Sequence, residues 1–178
     1  MSEDLRLIPL DPVARDEHVP RIERAISTLK ERARCYCHGL SYTALPITIS
    51  IVLVEFANHW LNQFPNRDGI SQTLSPSATV LGIPNPDCNK LKICFGSYAQ
   101  VFESTNNRMH RRNTPAIALL PSNQRGGYYF MKLYTGRRIH SYQWKELPIP
   151  DNVVKRVAHM AKTQKQPRTI NRIPSFEW

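Results

Sequence analysis

The sequence predicts an α+β chain with a helical N-terminal half, a small β-barrel and a closing helix. Apolar residues recur at helical spacing between residues 16 and 64. From Lys92 onward the texture changes to short β-type segments broken by turn residues. A helix-like stretch returns at residues 148–162. The predicted units are 1–90, 91–147 and 148–178.

LRLIPL (5–10) reads as a short strand, with Pro9 marking an edge or its end. The turn-rich link DPVARDEHVP delivers a first helix that starts between Glu17 and Arg21. Pro20 suits a first turn, where its missing N–H is not needed. Ile22, Ala25, Ile26, Leu29, Ala33 and Tyr36 form an apolar stripe expected to seat the helix, and Gly39 is its expected stop. Beside that stripe runs a ridge of Glu23, Ser27, Lys30 and Arg34, since offsets of four, seven and eleven residues return to one side of a helix.

Residues 45–64 admit two readings. ITISIVLV alternates like a β-branched strand, yet Ile47, Ile51, Val54, Ala57, Leu61 and Phe64 recur at helical spacing. Twenty residues is long for a strand, so helix is the expectation. PNRDG closes it. SPSATVLG (75–82) predicts a short helical turn with Ser75 as cap and Pro76 in first position, and GIPNPDCN is loop.

The strand candidates are ICFGSYAQVFE (93–103), PAIALLP (115–121), GYYFMKLY (127–134) and RIHSYQW (138–144). Four or five short strands in so short a stretch suggest a small closed barrel. PIPDNVVKRVAHMAK predicts a helix capped by Asp151 or Asn152, and TQKQPRTINRIPSFEW reads as linker.

The net charge of +10 is one-sided. Residues 1–90 hold 9 Lys/Arg against 10 Asp/Glu, whereas residues 91–178 hold 15 against 4. Such asymmetry points to a polyanionic partner, with nucleic acid the default. Cys35 and Cys37 on a helix would splay by roughly 200°, which prevents both from facing one ion. Cys88 and Cys94 lie far off without a C-x-x-C spacing, so free thiols are expected rather than zinc or disulfides. Residues 1–15 carry Glu3, Asp4 and Asp11 and lack a cationic region of a secretion signal. The apolar run LPITISIVLVEFA is too short to span a bilayer and is expected to enter a core. The six histidines show no ligand spacing, and no Ser/His/Asp pattern or phosphate-cradling glycine loop is present.

The sequence I-E-R-x-I-x-x-L-K-E-R-A-R, the apolar helix ending in W-L-N-x-F-P, the T-L-S-P turn and the later FGSYAQV and GGYYFMKLYTGRRIHSYQW carry a resemblance. From about Asp16 to Lys162 they resemble the downstream half of the integrase region of copia-type retrotransposon polyproteins. That resemblance implies the end of an RNase H-like catalytic core followed by an SH3-like β domain. It also implies a location in the nucleus or in a cytoplasmic virus-like particle.

In that family the first helix carries the last acid of an Asp, Asp, Glu triad, followed seven residues later by a lysine. Glu23 and Lys30 occupy those places, with Glu17 and Glu31 as alternatives. Strand transfer is an in-line attack on a phosphodiester, assisted by two Mg²⁺ (or Mn²⁺) ions held by carboxylates. The resemblance places the other two acids upstream of Met1, and Asp4, Asp11 and Asp16 lie too close to Glu23 to serve. The expectation is therefore a fragment without integrase activity of its own, its first two helices partly uncovered.

Lys30 and Arg34 are candidate phosphate contacts. The larger basic set is Arg108, Arg111, Arg112, Arg125, Lys132, Arg137, Arg138 and Lys145, interleaved with Tyr128, Tyr129, Tyr134, Tyr142 and Trp144. Cations among aromatics suit DNA or RNA strands, although alternate aromatics of a small barrel also fill its core. Two functions follow: an integrase fragment concerned with DNA integration, or a non-enzymatic module binding nucleic acid or other integrase and Pol segments.

Overall fold

The computed structural model describes residues 19–66, 71–82, 92–103, 111–122 and 126–166. The expected strand at 5–10, Glu17, Cys88, Arg108, Arg125 and the tail beyond residue 166 lie outside the described residues.

The first helix, α1 (Pro20–His38), opens with its proline in the first turn and stops at Gly39. Gly39 has a φ of −76°, so the stop does not use left-handed freedom; its N–H closes a turn onto Tyr36 O. The expected apolar stripe is seated only at one end. Ala33 and Cys37 are buried, whereas Ile22 and Ile26 are 57% and 46% exposed. The reason is that α1 meets α2 near its C-terminal end, where Tyr36 packs edge-on against Phe56 with ring centres 5.0 Å apart.

The helical reading of residues 45–64 holds as α2 (Ile47–Gln63). Of the residues at helical spacing Ala57 is buried, together with Ile49, Val52, Leu53 and Phe56, while Ile47, Ile51 and Phe64 are exposed. Apolar residues surround this helix on nearly every side, so periodicity alone did not select a face. The third helix, α3 (Pro76–Leu81), has the expected cap, with Ser75 Oγ accepting from Ala78 N–H at 3.1 Å. Gly82 ends it at a φ of +64°.

Five antiparallel strands follow: β1 (Tyr98–Phe102), β2 (Asn113–Pro121), β3 (Tyr128–Lys132), β4 (Arg138–Ser141) and β5 (Trp144–Glu146), in the order β4-β3-β2-β1-β5. Two boundaries differ from expectation. The strand expected from Ile93 begins only at Tyr98, because Gly96 turns the chain at a φ of +83°. The segment RIHSYQW is two strands, and these lie at opposite edges of the sheet.

Only Tyr142 and Gln143 separate β4 from β5. Three Cα–Cα steps of 3.8 Å reach no further than about 11 Å, so the two edges must approach one another. Phe102 N–H donates to Gln143 O at 3.1 Å, and Ser141 Oγ lies 2.9 Å from Phe102 O while accepting from Gln143 N–H. Ser141 is 7% exposed and fastens this junction. The sheet is thereby rolled.

Alternation divides the sheet into two faces. Ala99, Val101, Ala116, Ala118, Tyr128 and Phe130 form an inner cluster closed by Ile139 and Trp144. On the other face Tyr98, Ile117, Leu119 and Met131 join Ile49, Val52 and Leu53 of α2. They also join Val153, Val157 and Met160 of the last helix, α4 (Asp151–Thr163). One core thus unites all three sequence segments.

The N-terminal cap position of α4 belongs to Pro150, with no side-chain cap, rather than to Asp151 or Asn152. Pro150 O already accepts from Val153 N–H at 2.9 Å, which places Asp151 inside the first turn. Buried Val153, Val157, Met160 and Ala161 form the inward stripe of α4. Among the described residues, no helix is long and apolar enough to cross a membrane.

Candidate nucleic-acid interface

The strand registers collect cations at one end of the sheet. Phe102 pairs with Asn113, Ala116 with Lys132 and Met131 with Arg138. The start of β2, the end of β3 and the start of β4 therefore lie at the same end of the sheet, with β2 running three residues past Lys132. Arg111 and Arg112 lead into β2, and Arg137 leads into β4. All three are exposed and have no ion pair among the described residues. Arg125, also a candidate, lies outside the described residues.

Lys132 is engaged internally. Its Nζ sits 2.7 and 2.8 Å from the two carboxylate oxygens of Glu103, which follows β1. The hydrogen bond from Lys132, reinforced by one from Thr114, holds the Glu103 carboxyl below the usual carboxylate range. A carboxylate with a lowered folded-state pKa stabilises the fold above its unfolded pKa and loses that contribution as pH falls through the folded value. The side chains of Lys132 and Glu103 are 26% and 35% exposed, so the effect is modest. Acid titration from about pH 5 toward 3 should lower the Tm of Glu103→Gln less steeply than that of the parent. Equal slopes in thermal denaturation would remove this pair from the account.

Arg138 has a mixed position. Its guanidinium carbon lies 3.8 Å from the centre of the Tyr129 ring, and Nη1 is 3.7 Å from Glu55 Oε2 on α2. The stacking orients a planar cation on the outer strand while leaving it exposed. His140 follows on the same face, edge-on to both Tyr129 and Tyr142 with ring centres 5.2 and 4.8 Å apart. Lys145 is exposed on β5.

The aromatics divide between core and surface. Tyr128 is 3% exposed and packs with Trp144 and Phe130, and burial raises its hydroxyl pKa. Tyr134 and Tyr142 are 62% and 65% exposed, with rings available to a flat partner. Arg156 of α4, unremarked in the sequence, reaches this end. Its Nε and Nη2 donate to Leu133 O and Tyr134 O, both at 3.1 Å, fixing the turn that carries Tyr134. Its spacing from Val153 and Val157 identified a helix position but gave no sign of that tether.

The α1 candidates lie on a separate element. Glu23 is exposed in the first turn, Lys30 is half-buried and Arg34 is exposed. Among the described residues no group of three or more His, Cys, Asp or Glu side chains lies together to hold a metal ion. The described residues therefore do not fit a two-metal centre around Glu23. Cys35, Cys37 and Cys94 are free thiols, and burial pushes the Cys37 thiol up from its ordinary pKa. The chain matches no protein-family model, no curated protein and no solved structure.

Proposed function

We propose that this chain is a nucleic-acid-binding segment of the copia-type integrase kind, in which the sheet rather than Glu23 is the working part. On this reading α1 and α2 descend from the end of an RNase H-like core, and the rolled sheet is an SH3-like barrel. Its role is to hold DNA, or RNA, for integration chemistry performed by acids outside the described residues. The observation that carries the reading is that Arg111, Arg112 and Arg137 all lead into strands at the same end of the sheet. Three exposed guanidiniums without ion-pair partners among the described residues offer forked hydrogen bonds to phosphates.

Phosphate binding releases counterions, so affinity must fall as salt rises. Three contacts give a log–log slope near −3, and Arg108 and Arg125 would extend it toward −5. The measurement is fluorescence anisotropy of a labelled oligonucleotide across a salt series with the full chain. A flat response, or no binding at low salt, would remove the nucleic-acid reading.

A further inference from the structure

Beside the basic end, where the outer face of the sheet meets α4, lies an open cleft of about 670 Å³. Its size falls within the range of small-molecule sites. Leu133 and Val153, both 5% exposed, provide apolar walls. Around them stand Gln100, Arg111, Asn113, Tyr134, Asn152 and Arg156.

The chemistry of this lining is selective. Arg111 and Arg156 line the cleft, and no carboxylate lines it among the described residues. An anion is therefore favoured over a cation. Arg156 commits Nε and Nη2 to backbone carbonyls, which holds its plane in place and leaves Nη1 for a ligand. Gln100 donates Nε2 to Tyr98 Oη at 2.8 Å, which turns its carbonyl oxygen into a fixed acceptor. Asn113 and Asn152 add amides that both donate and accept. Tyr134 supplies an exposed ring at the rim.

An anionic group, a flat apolar body and mixed donor–acceptor edges are together the description of a nucleotide. We infer that the cleft takes one unpaired nucleotide of a bound strand, with its phosphate on Arg111 and its base against Tyr134. This rests on the nucleic-acid reading of the basic end and adds a preference to it. A base paired inside a duplex cannot present its face to Tyr134, so single strands gain a contact that duplexes lack.

The test compares a short single strand of mixed sequence with the duplex of equal length, on the full chain, by anisotropy at fixed salt. Tyr134→Ala should weaken single-strand binding about tenfold and leave duplex binding unchanged. Tyr134→Phe, which keeps the ring, should bind as the parent does. Asn152→Ala should weaken the single strand alone, by a smaller factor. Tyr134 and Asn152 are exposed, so thermal denaturation should find these variants folded. If Tyr134→Ala affects neither strand form, or both equally, the cleft assignment is overturned while the basic interface stands. Parent binding to duplex alone overturns it as well. If the parent binds neither form, the nucleic-acid reading falls and takes the cleft with it.

Discussion

Gly96→Ala should destabilise the fold by about 2–4 kcal/mol, combining left-handed backbone strain with overpacking. Gly96 holds a φ of +83°, and an added Cβ would lie 2.3 Å from Leu40 Cδ2. Leu40 packs against the shared core, with the Tyr42 ring 3.8 Å from the same point, so rotation to relieve the contact disturbs its neighbours. The site is also a joint. Gly96 O accepts from Tyr42 Oη at 2.8 Å, and Gly96 N–H donates to Ala118 O at 2.9 Å. Those two bonds fasten the link between α1 and α2 to the sheet, and burial keeps the Tyr42 hydroxyl protonated far beyond its ordinary range. A chain of this size should lose roughly 10 °C of Tm. Gly82→Ala is the matched control, because Gly82 has a φ of +64° but nothing within 4 Å of the added carbon. Equal losses in the two variants would show that packing against Leu40 contributes nothing.

Replacing Arg111, Arg112 and Arg137 together by alanine should reduce oligonucleotide affinity about 100- to 1000-fold near 0.1 M salt and flatten the salt slope by nearly three. All three are exposed and lack ion pairs among the described residues, so the fold should persist. A parallel Lys132→Ala variant separates local charge from total charge. Lys132 is paired to Glu103, so its removal should alter binding little and lower stability slightly. If Lys132→Ala weakened binding as much as Arg111→Ala, net charge rather than the sheet end would govern affinity. Anisotropy titrations at three or more salt concentrations distinguish the two.

Much of this architecture was legible because its signals are local. Ser75 with Pro76 announced α3, Pro20 marked the first turn of α1, and the turn-separated β segments announced a sheet. What was not legible depends on pairing. Nothing in RIHSYQW reveals that Ser141 ends one edge strand and Trp144 begins the other, because that depends on where β1 lies. Apolar residues surround α2, so Ile47 and Ile49 were equivalent candidates for burial until the sheet met one of them. That Lys132 is paired was not legible, since its partner Glu103 lies twenty-nine residues away. The arginines leading into β2 and β4 stood in the basic set read from the sequence, whereas the cleft draws on β1, β2 and α4 and needed the fold.

The core that α2 shares with the sheet sets an order on synthesis. Leu53 leaves the ribosome before Ile117 and Met131, which complete its surroundings. At about 5–20 residues per second, the lag of nearly eighty residues to Met131 lasts roughly 4–16 s. For that interval a nascent helix carrying ITISIVLV lacks the β1–β5 sheet that covers it in the folded chain. Exposure of this apolar helix to self-association is thus greatest during translation, and a chaperone that holds the segment around ITISIVLV would act in that interval.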